Sequence, residues 1–318
     1  MARGLASCVA AHRHPLTMKS RAIPFVVLAL LAVRAAALDY PPSLPDARAE
    51  VYKTVGETKL SLYIFEPASG PKTGRPAIVF FFGGGWVNGS PEQFAAHCRY
   101  LAARGMVAIT ADYRIASRQS VKPAACVTDA KSAIRWLRAN ATRLGLDPHR
   151  IAAGGGSAGG HIAAAAATLP DFDEPGEDAS ISSVPDALVL FNPALVLAPL
   201  AGLDLRGFGT NKNSEQLGAD PGALSPAHHV KPGAPPTLIQ HGRADKTVPF
   251  ESVEAFARLM RAAGNRCELI GYDGKGHGFF NYGKGDNPSY PATVAAMDGF
   301  LVSLGWLAPI TPPPAAQP

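Results

Sequence analysis

From residue 51 to residue 304, short runs of consecutive apolar residues alternate with longer stretches of helical spacing. Val51 to Val55 and Leu60 to Phe65 are short β-type runs separated by Gly56-Glu57-Thr58, which predicts an antiparallel hairpin at a sheet edge. Ala77 to Phe82 is apolar throughout, the pattern of a strand buried on both faces of a parallel sheet. Further strands are expected at Val107 to Ala111, around Ile151 to Ala153, and at Asp186 to Phe191, Thr237 to Gln240 and Cys267 to Tyr272. Between them lie predicted helices at about 92–103, 124–144 and 250–263, an alanine-rich helical run from Ile162 to Ala167, and a last helix at about 291–304. Eight strands alternating with helices predict one α/β domain at 38–308, with a mostly parallel sheet flanked by helices on both faces. Residues 194–235 have weak periodicity and many Gly, Pro and Asn, and are expected to form a small cap or extended loop that governs substrate choice.

The polar clusters fall just after strand ends, where open α/β sheets form their sites. Gly154 to Gly160 carries G-x-S-x-G between a strand and an alanine-rich helix, with Ser157 at the tip. A serine hydroxyl needs this exposed position, a base and a nearby helix N-terminus to act as a nucleophile. His277 follows the last strand in a glycine-rich loop and is the expected base; Asp245 follows the preceding strand and is the expected acid. The chain order Ser, Asp, His distinguishes this arrangement from other serine hydrolase designs. Asp273 competes as the acid on the His277 loop. His161 is expected to pack and His241 to brace a loop, while His228 and His229 sit in the irregular stretch. Oxyanion donors are expected from Ala158 N–H and the Gly83-Gly84-Gly85 turn, whose amides lack side-chain shielding.

Charge narrows the possible partners. The formal net charge is +5, but five of the 30 basic residues and no acid lie in residues 1–37. Without that stretch 25 basic residues face 25 acidic ones, which argues against a nucleic-acid or anionic-membrane partner. The same stretch reads as a secretion signal. Lys19 and Arg21 precede an apolar run from Ile23 to Val33, and Ala35-Ala36-Ala37 is a cleavage site of the A-x-A type. Translation is expected to start at Met18, and the product to be secreted or periplasmic. The apolar run is too short for a stable membrane span; a retained anchor is the competing reading. Cys98, Cys126 and Cys267 are widely spaced and read as buried thiols, with no disulfide framework or zinc pattern. Residues 309–318 are expected to be a disordered Pro/Ala tail.

Phe82-Gly83-Gly84-Gly85-Trp86, Asp112-Tyr113-Arg114, Gly155-Gly156-Ser157-Ala158-Gly159-Gly160, Asp245 with Val248-Pro249, and Gly276-His277-Gly278-Phe279 together resemble the α/β-hydrolase superfamily. They look most like its hormone-sensitive-lipase-like esterase branch and the bacterial acetyl-esterase and carbohydrate-esterase relatives. The resemblance implies Ser157 as nucleophile, His277 as base, Asp245 as acid, and Gly84, Gly85 and Ala158 as oxyanion donors, with no metal and no cofactor. It departs at Phe82, where the branch usually has a histidine that supports the loop, and in the missing N-terminal helical cap. An open site implies short acyl esters, such as acetyl groups on polysaccharides like xylan. The alternatives are a serine peptidase of the prolyl-oligopeptidase type, disfavoured by the lack of a propeller-sized domain, and a non-catalytic binding protein on this fold.

Overall fold

The computed structural model describes residues 40–202, 212–284 and 288–310. The expected leader at 1–37, with Met18, lies outside the described residues, as does the tail from 311 onward. Two antiparallel strands, β1 (Arg48–Val55) and β2 (Thr58–Phe65), form the edge hairpin. The remaining strands are β3 (Arg75–Phe81), β4 (Val107–Ala111), β5 (Leu146–Gly156), β6 (Ala187–Phe191), β7 (Thr237–Gly242) and β8 (Cys267–Tyr272). The eight-stranded sheet has the order β1-β2-β4-β3-β5-β6-β7-β8 and is parallel from β4 onward.

Two apolar layers follow from the strand period of two. Ala77, Val79 and Phe81 of β3 face one core, and Ile78 and Phe80 face the other. The first core is covered by α3 (Pro123–Ala139), α5 (Ala158–Thr168) and α7 (Phe250–Ala262), through Ile134, Leu137, Ile162, Val253, Phe256 and Met260. The second is covered by α1 (Ala95–Ala103) and α8 (Ser289–Ser303), through Cys98, Leu101, Met297, Phe300 and Leu301. Both faces of the central strands are therefore dry, which is why they read as unbroken apolar runs. Cys98, Cys126 and Cys267 are free and buried. Among the described residues, no helix is long and apolar enough to cross a membrane.

Three boundaries differ from the sequence reading. The helix expected over 124–144 breaks at Asn140, whose backbone leaves the helical region and whose side chain donates to the Trp136 carbonyl at 2.9 Å. The short α4 (Ala141–Leu144) follows and ends on Gly145 in the left-handed conformation. β5 begins at Leu146, ahead of Pro148, because Arg75 pairs with Leu146 before the register shifts to Ala77 beside Ile151. A proline is tolerated at such an irregularity because no ladder donor is required there. The helix expected from residue 92 opens with a 3-10 turn at Pro91–Phe94. Short helices also occur at α2 (Ala116–Gln119) and α6 (Ser214–Leu217).

The irregular stretch after β6 packs firmly where it is described. Leu195, Leu197, Leu217 and Leu224 are fully buried in the first core. His228 bonds the Ser225 hydroxyl at 2.8 Å and the Pro199 carbonyl at 3.0 Å.

Candidate active site

The site lies at the carboxyl ends of β3, β5, β7 and β8. β5 runs straight into Ser157, which has φ 55° and ψ −117°, and α5 starts at the next residue. A non-glycine residue at positive φ carries strain, and here the strain aims the hydroxyl away from both strand and helix. The turn can be this tight because of Gly159, where a Cβ would come within 2.0 Å of the Phe81 carbonyl oxygen. A larger residue would push α5 off the end of β3.

His277 Nε2 lies 2.9 Å from Ser157 Oγ, and His277 Nδ1 lies 2.7 Å from Asp245 Oδ2. The carboxylate can only accept, so Nδ1 carries the proton and Nε2 is left to accept from the serine. The Asp245 carboxylate is wholly buried and the His277 ring is 25% exposed. Burial pushes the Asp245 carboxyl up, but hydrogen bonds from His241 and His277 and from the Val248 N–H outweigh it and hold it well below the usual carboxylate range. The Thr247 N–H donates to the same carboxylate at 2.8 Å and the Val248 N–H at 2.9 Å. His241 Nε2 lies 3.2 Å from Asp245 Oδ2 and 2.9 Å from the Val248 carbonyl, so this nitrogen is the donor and the residue braces the acid loop. Asp273 sits apart: its side chain is 92% exposed and pairs with Arg243 at 3.1 Å.

The glycine turn after β3 closes the other side. Gln93, in the 3-10 turn, accepts the Gly83 N–H at 2.6 Å. Among the described residues, Gly84 and Gly85 donate no backbone bond to a protein group, and neither does Ala158 at the first position of α5. These three amides are thereby available to a ligand, and the helix N-terminus adds positive potential at the same place. Gly84 has φ 126°, and a Cβ there would lie 2.1 Å from the Asn88 carbonyl oxygen. Trp86 donates to His161 Nδ1 at 3.3 Å, and His161 Nε2 donates to the Leu224 carbonyl at 2.8 Å. Burial pushes the His161 pKa down to about 4, so it stays neutral in this role. His161 thus packs as expected from the sequence, and in doing so it ties the glycine turn to the stretch after β6.

Phe82 supports the turn by packing. Its ring stacks on Tyr113 at 4.2 Å, and the Tyr113 hydroxyl donates to the Phe82 carbonyl at 2.7 Å. Three further residues had no signal in the sequence. Asn192 Oδ1 accepts the Gly278 N–H at 3.1 Å and so fixes the loop that carries His277. Gln93 Nε2 donates to Asn281 Oδ1 at 2.8 Å, and Asn281 Nδ2 donates to the Gly278 carbonyl at 2.8 Å. This chain of amides ties the glycine turn to the histidine loop across the site.

A cavity of about 380 Å³ opens between them, lined by Gly84, Gly85, Ser157, Asn192, Thr247 and His277 among others. None of the described residues of 194–235 lines it. Lys212 and Gln216 line a neighbouring cleft of about 390 Å³ that touches the site only through Gly85. The rest of that stretch, residues 203–211, lies outside the described residues. Among the described residues, no group of three or more His, Cys, Asp or Glu side chains is placed to hold a metal ion.

This sheet and the strand–elbow–helix define an α/β-hydrolase. The chain belongs to the BD-FAE family, whose model matches residues 62–260, and to the hormone-sensitive-lipase-like esterase branch. A dienelactone hydrolase family model matches residues 221–310. The chain is similar to Carboxylesterase NlhH of Mycobacterium tuberculosis, 29% identical over 268 residues that cover 76% of this chain and 78% of the relative. It is 31% identical to Esterase LipC of the same organism over 226 residues, 66% of this chain, and spans 54% of that relative's length. Among solved structures, the propionate-bound esterase 2 of Thermogutta terrifontis is 52% identical with a TM-score of 0.81, covering 86% of this chain and 100% of that one.

Proposed function

We propose that this protein is a serine carboxylic-ester hydrolase acting on short acyl esters through an acyl-enzyme. The observation that carries the reading is the run of hydrogen bonds from Asp245 through His277 to Ser157, at 2.7 and 2.9 Å, beside three amides with no partner among the described residues. Ser157 Oγ attacks the ester carbonyl carbon while His277 Nε2 takes its proton. The charge that develops on the carbonyl oxygen is met by the Gly84, Gly85 and Ala158 N–H groups. The carbon–oxygen bond to the alcohol breaks as His277 returns the proton to the departing oxygen. Water then repeats the sequence and frees the carboxylic acid, with Asp245 stabilising the imidazolium in both halves.

The small cavity supports short acyl groups, as do the propionate and butyrate seen bound to the Thermogutta relative. Acetyl esters of polysaccharides such as xylan are the natural source for a secreted enzyme, and secretion itself rests on the leader pattern of residues 19–37. Replacing Ser157 by Ala is expected to abolish hydrolysis of p-nitrophenyl acetate while leaving the melting temperature unchanged. Near wild-type turnover in that variant would overturn the assignment.

A further inference from the structure

The two amides that the glycine turn offers to the oxyanion are aimed by what holds their own carbonyls. Gly84 N–H shares a planar trans peptide with the Gly83 carbonyl, and Gly85 N–H shares one with the Gly84 carbonyl. Each amide therefore points opposite to its carbonyl. The Gly84 carbonyl accepts the Val87 N–H at 3.1 Å and the Asn88 N–H at 3.0 Å, which turns Gly85 N–H the other way. The Gly83 carbonyl has a different support. Gly89, at φ 121°, lies against it: a Cβ on Gly89 would come within 2.3 Å of the Gly83 oxygen and 2.4 Å of the Phe82 ring. Where Gly89 is held thus decides where Gly84 N–H points.

Gly89 is held by Arg118. Because β4 pairs in parallel with β3, the segment after β4 runs alongside the glycine turn. Its short helix α2 donates the Ala116 N–H to the Trp86 carbonyl and the Ser117 N–H to the Val87 carbonyl, both at 3.0 Å. Arg118 Nη1 donates to the Gly89 carbonyl at 2.8 Å, and Nη2 to Asp112 Oδ1 at 3.3 Å. Asp112 is buried and its Oδ1 also accepts the Tyr113 N–H at 2.8 Å, so this anchor is fixed to the end of β4. The guanidinium carbon lies 3.7 Å from the centre of the Tyr40 ring and 5.8 Å from that of Phe82. Aromatic rings attract a cation over their faces, and a rigid guanidinium fork engages two acceptors at once where an ammonium is a single point of charge. Arg118 does not line the catalytic cavity, and no step of the chemistry above uses it.

We propose that Arg118 is a positioning residue for the oxyanion hole: anchored by Asp112 and Tyr40, it fixes Gly89 against the Gly83 carbonyl and so aims Gly84 N–H at the developing charge. The proposal rests on the esterase reading. Loss of the clamp weakens an interaction made mainly in the transition state, and so acts on kcat more than on KM.

The test is hydrolysis of p-nitrophenyl acetate across pH by wild-type enzyme, by Arg118→Met, which keeps a long stem and removes every donor, and by Arg118→Lys, which keeps one charged donor. Arg118→Met is expected to lower kcat by about tenfold or more with KM within about twofold. The acidic midpoint of its kcat/KM profile, which reports the free enzyme's base, is expected to stay in place. Arg118→Lys is expected to recover part of the loss. Tyr40→Leu removes the stacked ring, leaves the hydrogen bonds, and is expected to lower kcat about threefold; it decides the matter where Arg118→Met does not fold. A kcat equal to wild type in the deciding variant overturns the positioning role. So does a moved midpoint, a rise in KM that matches the fall in kcat, or a lysine variant as slow as the methionine one. In each of those cases an active wild type leaves the esterase reading standing, whereas a wild type without activity overturns both.

Discussion

Asp245 and Asp129 are both buried aspartates with every oxygen engaged, and they do opposite things. Asp129, on α3, is gripped by Arg114 through two bonds of 2.8 Å and by Lys53 at 2.7 Å. Lys53 also reaches Ser132 at 3.1 Å and Glu174 at 2.5 Å. Neighbouring Lys131 pairs with Asp173 at 2.7 Å, and Arg135 with Glu177 at 2.6 Å. These lysine and arginine partners fix α3 against β1 and the segment after α5. The partner of Asp245 is an imidazole whose far nitrogen faces a cavity and a serine hydroxyl. The lesson is that burial and satisfaction do not mark an aspartate as functional. What marks it is a partner that can still exchange a proton.

Asparagine at each position separates the two roles. Asp245→Asn is expected to lower kcat by about 10⁴-fold, because the imidazole loses its tautomer and its counter-charge. Its melting temperature should move little by comparison. Asp129→Asn should do the reverse, costing about 3–5 kcal/mol in urea unfolding by removing the buried charge that Arg114 and Lys53 share, with kcat of the folded fraction within a few-fold of wild type. A large kcat loss for Asp129→Asn would show that the network reaches the chemistry and would break the comparison.

Gly84→Ala tests the opposite wall of the site. The added methyl collides with the Asn88 carbonyl at a φ that L side chains rarely adopt, so the turn must shift and its amides move off the oxyanion. The expected result is a kcat about 10²–10³-fold lower with KM little changed. A change confined to KM would mean that the turn binds the ground state and the transition state alike.

The smallest effect concerns His97, a third kind of buried polar group. It sits among Phe94, Phe191, Phe280 and Tyr290, and neither ring nitrogen has a hydrogen-bond partner among the described residues. Burial pushes its pKa down to about 3 from the ordinary 6.5. Between those values the unfolded chain holds a proton that the native protein does not, so stability falls as the pH falls, by at most about 1.4 kcal/mol per pH unit. Asp112, which burial pushes up to about 6, acts in the opposite direction, because there the native state holds the extra proton from about 6 down to the ordinary 3.8. The His97 contribution is therefore read as a difference: His97→Leu should gain on wild type as the pH drops from 6.5 toward 3. A stability difference independent of pH would contradict this placement of the histidine.

Much of this molecule can be read from residue types alone. The apolar runs of β3 and β6 announce strands covered on both faces, and the order Ser157, Asp245, His277 after the ends of β5, β7 and β8 picks out the three side chains that the fold brings within hydrogen-bond distance. The residues that escaped are those whose role depends on three-dimensional neighbours. Gln93 looks like any polar residue in a turn, and its value lies in reaching Gly83 and Asn281, the latter 188 positions away. Asn192 closes a strand and holds a loop 86 positions later. The early start of β5 follows from a pairing with Arg75 that no local pattern encodes. Phe82 departs from the family's usual histidine, and only its stacking on Tyr113 shows how the turn is supported without one.

The central claim is that Ser157 is a nucleophile made reactive by His277. The most direct measurement is covalent labelling with paraoxon, the reagent that phosphorylates the Thermogutta relative, followed by peptide mapping by mass spectrometry. The account predicts a single diethylphosphoryl adduct on Ser157 that forms readily in the wild type, far more slowly in His277→Ala, and not at all in Ser157→Ala. An adduct on another residue, or a labelling rate indifferent to His277, would contradict it.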